Sequence, residues 1–289
     1  MFRHLDPGDP LAFRAPRELD VLIPSRNRAT ELAATLAGLA GQDLTGVEPD
    51  FGVVVSDQSD GEPTWRHAAV AGMVRVLRHR GHPVLLHAHL PRRGVAENRG
   101  HLLASSAARY VLFLDDDVWL EPAAVGRLLD SIRSLRCGLV GNAPHGLSYA
   151  DDHRPDQEKT YREWAGPPTP ERIEPRGPEW SRASVHAAAN LLHVEQRLAL
   201  RAGQWRAYRI AWVGACVLYD RAKLVDVGGY DFWPRVPVEH SGEDVLVQLR
   251  VMERYGGAGI VPSGAFHLET PTTVDARETE CFDAVPPYD

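Results

Sequence analysis

Short apolar runs alternate with longer stretches of helical spacing through the first half of the chain. Asp20 to Pro24 (DVLIP), Phe51 to Ser56 (FGVVVS), Val84 to Leu90 and Tyr110 to Leu114 (YVLFL) each hold a run of successive apolar residues. That is the pattern of strands buried on both faces, as in a parallel sheet. Between them, Thr30 to Gln42 puts Leu32, Leu36 and Leu39 on one helical stripe, with Thr30 placed to cap it. Pro63 to His79 reads as a helix with Trp65, Ala69, Met73 and Val76 facing inward, and Glu97 to Ala108 as a helix of small residues. A further helix over Pro122 to Arg136 leads to a strand at Gly138 to Gly141. Strands and helices alternating at this spacing predict an α/β fold with a doubly wound, mostly parallel sheet.

The character changes after Asn142. Residues 151–180 are rich in charge and carry six prolines, Pro155, Pro167, Pro168, Pro170, Pro175 and Pro178. A structureless stretch of that length reads as a functional loop or lid. An apolar segment at Ile210 to Leu218 follows, then the turn at Gly228-Gly229. Ser241 is placed to cap a helix from Gly242 to Tyr255, and Gly256-Gly257 to stop it. The last strand is Gly259 to Val261, with a polar tail beyond Thr270. The expected division is a single domain over 1–289: a first half at 18–142, a second at 143–270 and a tail at 271–289.

Composition narrows this picture. An apolar fraction of 44% suits a globular chain with a real core, and a net charge of −7 argues against a nucleic-acid partner. The three cysteines, Cys137, Cys216 and Cys281, form no metal-ligand pair and fit a reducing compartment. The opening MFRHLDPGDP has no apolar signal-peptide core. The longest apolar run, Ala211 to Tyr219, is about half the roughly 20 residues that cross a bilayer. The expectation is a cytoplasmic protein with no transmembrane segment.

The chemistry gathers at strand ends and helix starts. Tyr110 to Leu114 runs directly into Asp115, Asp116 and Asp117. Three adjacent carboxylates need water, hydrogen bonds or a divalent cation to offset their repulsion. An acidic turn before a helix would also explain them. On an extended strand end Asp115 and Asp117 would point the same way. Asp57 follows the second strand in Asp57-Gln-Ser-Asp-Gly61, where it either accepts the ring N–H of a base or closes an Asx turn. Arg92, Arg93 and Arg99 cluster with Gly94, Asn98 and Gly100 in a loop entering a helix, which is a diphosphate cradle or a solvated basic loop. Glu243 and Asp244 open a helix whose dipole would keep a carboxylate ionised, ready to take a proton. His267 is a structural histidine or a metal ligand.

The ordered set VLIPSRNR, VVVSDQSDG, GVAENRGHLLASSA, YVLFLDDDVWLEP, WVGACVLYDRAKLVDVGGYD, GEDVLVQLR and FHLE resembles the inverting glycosyltransferases of family 2, with the GT-A fold. The resemblance spans roughly residues 20 to 270, and its motifs keep the family's order. It implies a nucleotide-sugar-binding first half and an acceptor-side second half. Pro24, Ser25, Arg26 and Asn27 would lie near the nucleotide, Asp57 or Asp60 on its base, and Asn98 and Arg99 by the ribose or diphosphate. Asp115 and Asp117 would form the DxD motif, with Asp117 on the metal (Mn2+ or Mg2+) and Asp115 or Asp116 on the ribose or sugar. Asp244, beside Glu243, would be the catalytic base, and His267 a further metal ligand. Trp212, Gly214 and the Gly228-Gly229-Tyr230-Asp231 turn would shape the sugar and acceptor pocket, with core packing an equal reading of Trp212.

The implied reaction moves a sugar from a nucleoside-diphosphate donor, with UDP ahead of dTDP or GDP. The acceptor would be a small molecule, a peptide or an envelope precursor, selected by residues 143–210 and the aromatic residues Tyr161, Trp164, Trp180, Trp205 and Tyr208. A sugar nucleotidyltransferase would need a glycine-rich loop, which Pro24-Ser-Arg-Asn-Arg28 is not. A metal-dependent phosphohydrolase gives Asp57 and Glu243-Asp244 no role, and an inactive binding module would not need a full set of competent residues.

Overall fold

The computed structural model describes residues 13, 16–43, 51–272 and 279–288. The opening decapeptide and residues 273–278 of the tail lie outside the described residues. The first half runs β1 (Leu19–Ser25), α1 (Ala29–Ala40), β2 (Phe51–Asp57), α2 (Ala68–His79), β3 (Val84–Ala88), α3 (Val95–Ala104) and β4 (Tyr110–Leu114). It continues through β5 (Val118–Leu120), α4 (Ala124–Leu135) and β6 (Leu139–Gly141). The second half holds α5 (Pro155–Glu158), α6 (Asn190–Leu198), β7 (Arg206–Tyr208), β8 (Cys216–Asp220), α7 (Arg221–Asp226), α8 (Glu243–Tyr255), β9 (Gly257–Val261), β10 (Ala265–His267) and α9 (Cys281–Ala284).

Eight strands form one sheet in the order β3-β2-β1-β4-β8-β6-β9-β7, and β5 pairs with β10 in a separate antiparallel ribbon. The β3-β2-β1-β4 block is parallel, as is β6 with β9. β8 is antiparallel to both β4 and β6, and β7 to β9. The continuous apolar runs follow from burial on both faces. Val21, Ile23, Val53, Val55, Leu112 and Leu114 pack in one core. Their alternates Leu22, Val54, Val111 and Phe113 pack in the other. No helix among the described residues is long and apolar enough to cross a membrane.

Several local expectations give way. Thr30 lies inside α1, and the helix starts after Arg28 without a side-chain cap. Pro63 to His79 is not one helix. A 3-10 turn at Thr64–Arg66 ends at an extended His67, which resets the phase. The buried stripe of α2 is therefore Val70, Val74 and Leu77, while Ala69 and Val76 are exposed. α3 begins at Val95 and ends at Ala104, earlier than the small-residue pattern suggested. Ser241 does not cap α8. Gly242, at φ 73°, occupies that position, while Ser241 bridges to the returning tail through Ser241 N–Thr279 O and Cys281 N–Ser241 O. Residues 151–180 are not structureless: they carry α5 and the start of a 3-10 stretch at Pro178–His186. Glu171 receives Arg182 through two bonds of 2.8 and 2.9 Å.

One close approach fixes the far edge of the sheet. Gly259 in β9 pairs opposite Tyr208 in β7, and an added Cβ would stand 2.1 Å from the Tyr208 Cζ. Tyr208 is fully buried, with its hydroxyl 2.8 Å from His186 Nε2. Gly259→Ala therefore costs on the order of 1–3 kcal/mol, as overpacking does. The check is a lower denaturant midpoint at unchanged m-value. An unchanged midpoint would mean that the ring gives way freely.

Candidate active site

In the strand order, β1 leads outward to β2 and β3 on one side, while β4 lies on its other side. Such a switch point opens a crevice beyond the carboxyl ends of the strands. Here it is a cleft of about 1050 Å³. Pro24, Ser25 and Arg26 line it from the end of β1, Asn98 and Arg99 from α3, and Asp115, Asp116 and Asp117 from the end of β4. Trp212, Gly214, Glu243, Asp244 and His267 line the remaining walls. Asn27, Asp57 and Tyr230 do not.

The three aspartates diverge, because the chain turns after Leu114 and the two-residue alternation of a strand no longer applies. Asp115 Oδ1 accepts from Arg99 Nη2 at 2.7 Å. Asp116 Oδ2 accepts from the Ser25 hydroxyl at 2.7 Å, and its main-chain carbonyl from Thr35 at 2.9 Å. Burial pushes the Asp116 carboxyl up to about 7, against the opposing effects of Ser25 and Arg28. Asp117 is held by Arg28, whose guanidinium also reaches Asp116 at 3.3 Å.

Arg99 joins the two acidic elements. It is buried, with Nη2 on Asp115 and Nε 2.9 Å from Glu243 Oε1 at the start of α8. Burial opposes its charge, but Asp115 and Glu243 outweigh that and hold it firmly protonated. Asp244 follows Glu243 and is partly exposed to the cleft. The dipole argument predicted an ordinary ionised carboxylate. Burial, then repulsion from Glu243, instead raises Asp244 to about 7, with Arg99 opposing. That range suits a group taking a proton near neutral pH.

The basic loop is not an open cradle. Arg92 forms a two-pronged pair with Glu239 at 2.6 and 2.8 Å, Arg93 lies 5.8 Å from the Trp233 ring centroid, and Arg99 is enclosed. The amide of Ala96, at the start of α3, donates to His240 Nε2 at 3.1 Å. Gly94, at φ 103°, makes room for this, since a Cβ there would meet Val238 O at 2.7 Å. Asp57 is spent on its own turn: Oδ1 accepts from Ser59 N at 2.7 Å, and Oδ2 from the amide and hydroxyl of Thr64 at 2.5 and 2.8 Å. Asp60 accepts from Arg26 and Asn27 at 2.8 and 2.7 Å. Tyr230 lies beneath the cleft, packed on Phe113 with 1% of its surface exposed. Among the five aromatic residues, Trp180 lines the cleft, while Tyr208 is core. Trp205 donates to Asp130, and Trp164 lies under Arg209.

A divalent ion fits the mouth of this cleft. Asp117 Oδ2 and His267 Nε2 converge to 3.5 Å, close to the spacing of two ligands on one ion, and carboxylate and imidazole are suitable donors. Two present contacts would have to change. Arg28 shares that Asp117 oxygen, and His267 Nδ1 accepts from Glu269 N at 2.8 Å, which leaves the ring hydrogen on Nε2. Arg28 is a site residue that the sequence reading did not single out. Its signal was there, a cation three residues past a strand end (Ser25) facing a carboxylate cluster. Tyr149, His240, Glu280 and Phe282 also line the cleft. The last two come from the tail, which Ser241 and α9 fold back onto the site, and no local pattern announces that.

The protein-family model described as Glycosyl transferase family 2 matches residues 20–194. No curated protein matches the chain. Among solved structures, S. aureus TarS 1–349 in complex with UDP-GlcNAc aligns over 89% of this chain and 60% of its own, at a TM-score of 0.55 and 15% identity. The crystal structure of S. aureus TarS 1–349 gives 0.54 at 16% identity, over 86% of this chain and 60% of that one. Mannosyltransferase PcManGT from Pyrobaculum calidifontis, in complex with GDP-Man and Mn2+, gives 0.50 at 14% identity, over 85% of this chain and 57% of that one. The chain thus spans about three fifths of the length of these structures, and the likeness is one of fold.

Proposed function

We propose that this chain, which belongs to glycosyl transferase family 2, is a metal-dependent, inverting glycosyltransferase that takes a nucleoside-diphosphate sugar as donor. A UDP-sugar is the leading donor, with dTDP and GDP as alternatives. The acceptor would be a hydroxyl or similar nucleophile on a small molecule, a peptide or an envelope precursor. One observation carries the reading: Arg99 ties the acid cluster after β4 to Glu243-Asp244 at the start of α8 across a single cleft. The groups this reading gives to the nucleotide and to the acceptor's proton would thus share one electrostatic unit.

In this reading Asn98 offers Oδ1, a buried atom with no hydrogen-bond partner among the described residues, to a ribose hydroxyl. Asp117 and His267 would hold Mn2+ or Mg2+, which when bound supplies positive charge for the departing diphosphate. Arg28 adds a second cation once it leaves Asp117. Asp244 accepts the proton of the acceptor as it attacks the anomeric carbon from the face opposite the diphosphate, so one displacement inverts the centre. Trp180, Trp212 and Tyr149 form the wall where a sugar ring would stack.

The test is calorimetric binding of UDP, dTDP and GDP with and without Mn2+. One nucleotide is expected to bind tightly only with metal, and Asp117→Ala to weaken that binding at least ~10-fold, as loss of a metal-site group does. Metal-independent binding, unchanged in Asp117→Ala, would refute the metal site. No binding of any nucleotide would refute the donor class.

A further inference from the structure

Away from the cleft, the acceptor-side segment brings His153, Glu158 and His193 together, with donor atoms all within 4.8 Å of one another. His193 lies in α6 with 3% of its surface exposed, and its Nε2 stands 2.8 Å from the carbonyl oxygen of Ala150. A carbonyl only accepts, so the ring hydrogen belongs on Nε2, and a neutral ring then presents the lone pair of Nδ1. That Nδ1 is buried and makes no hydrogen bond among the described residues. It faces Glu158 Oε1 at 3.3 Å. A lone pair and a carboxylate oxygen repel unless a cation or a proton lies between them.

The surroundings favour a cation. Glu158, buried at the end of α5, has its other oxygen, Oε2, engaged by Arg197, which leaves Oε1 aimed at His193. His153 is exposed, and its ring stacks on that of His193 with centroids 4.0 Å apart. Its side chain can therefore swing to complete a set without disturbing the core. We propose that His153, Glu158 and His193 bind a divalent transition-metal ion of the zinc type, separate from the acid cluster of the cleft. Two imidazoles and a carboxylate suit zinc better than Mg2+ or Ca2+. Bonds of about 2.0–2.2 Å in tetrahedral geometry put neighbouring ligands roughly 3.3 Å apart, the spacing already present between Glu158 and His193. The Ala150 carbonyl on Nε2 plays the orienting part that such histidines need. A fourth position opens toward solvent beside His153, where water completes the set.

The ion would tie the 150–154 loop and α5 to α6, immediately behind Tyr149 in the cleft wall. A chelator would then strip two sites, so loss of activity on chelation cannot separate them and binding must be read directly. The test uses the tag-free full chain carrying Asp117→Ala, which removes the cleft site, stripped of metal and titrated with Zn2+ against a chromophoric chelator and with Co2+ by visible absorption. One Zn2+ per chain and the intense bands of four-coordinate Co2+ are expected. Adding His153→Ala, an exposed change that leaves the metal-free melting curve in place, should weaken Zn2+ by more than the about 10–100-fold that a lost orienting partner costs, and abolish the Co2+ bands. No Zn2+ bound by the Asp117→Ala protein, or equal binding with His153→Ala, would overturn the proposal and leave His193 and Glu158 as a proton-bridged pair.

Discussion

Asp244→Asn is expected to lower kcat by about 10²–10⁴-fold, the usual worth of a positioned general base, while nucleotide affinity stays within about twofold. The residue sits in the cleft wall, and the hydrogen bond described for its side chain is the one Oδ1 accepts from Val245 N, so the change breaks no described bond to Asn98, Arg99 or the acid cluster. In the wild type, kcat/KM should rise with pH through an apparent pKa near 7, because burial and Glu243 raise the Asp244 carboxyl to about 7 and only the ionised form accepts a proton. The sign of the stability effect separates this role from misfolding. The folded carboxyl titrates above its unfolded value of 3.8, so between about 4 and 7 the folded state holds more protons. This group's contribution to stability therefore falls as pH rises through that window. Asparagine removes the penalty, so at pH 8 the variant should melt no lower than the wild type, and higher if nothing else changes. Lost transfer with undiminished stability cannot come from unfolding. Retention of more than about a tenth of kcat would place the base elsewhere.

The part of this site built on the first half of the chain is legible in the sequence for a physical reason. β1, β2 and β4 are buried on both faces, so their apolar runs cannot be solvated turns. A chain leaving such a strand into charged residues must do so beyond the strand's carboxyl end, where crevices form. Asp115, Asp116 and Asp117 were therefore legible as a group at a crevice, and all three line the cleft. Their individual orientations were not, because the two-residue rule ends where the strand does. The second half resists reading because its strands are short and meet distant partners. β8 is antiparallel and lies between β4 and β6, a placement set by long-range pairing that no local pattern encodes. β5 and β10, three residues each, exist only as a pair. The arginines show the same limit. The sequence displays Arg92, Arg93 and Arg99 as equals, whereas pairing with Glu239, with Trp233, and with Asp115 and Glu243 gives each a different task. Asp57 likewise satisfies both readings of its motif until the amides of Ser59 and Thr64 are seen on its oxygens.

Arg99→Met should be the most damaging single change to the fold at this site, costing about 3–5 kcal/mol, as removal of one partner from a buried ion pair does. The guanidinium spans Asp115 and Glu243 with 5% of its surface exposed and lies 5.6 Å from the Phe113 ring centroid. Methionine fills much of the volume but leaves Glu243 buried, charged and without its partner. Adding Glu243→Gln should then recover part of the loss, whereas Glu243→Gln alone should destabilise, so the double-mutant cycle carries a large coupling term. Catalysis gives an independent sign. Arg99 holds the Asp244 carboxyl down, so its removal raises that group further, and the acid limb of kcat/KM should move to higher pH. Arg99→Lys keeps a charge but cannot reach both carboxylates with one ammonium, so it should fall between wild type and methionine in both stability and limb position. Denaturant midpoints and pH profiles of the wild type and the four variants decide the matter. If Arg99→Met is within about 1 kcal/mol of wild type, far below the cost of an orphaned buried charge, the bridge is dispensable. The acid cluster and α8 would then be held together by core packing alone.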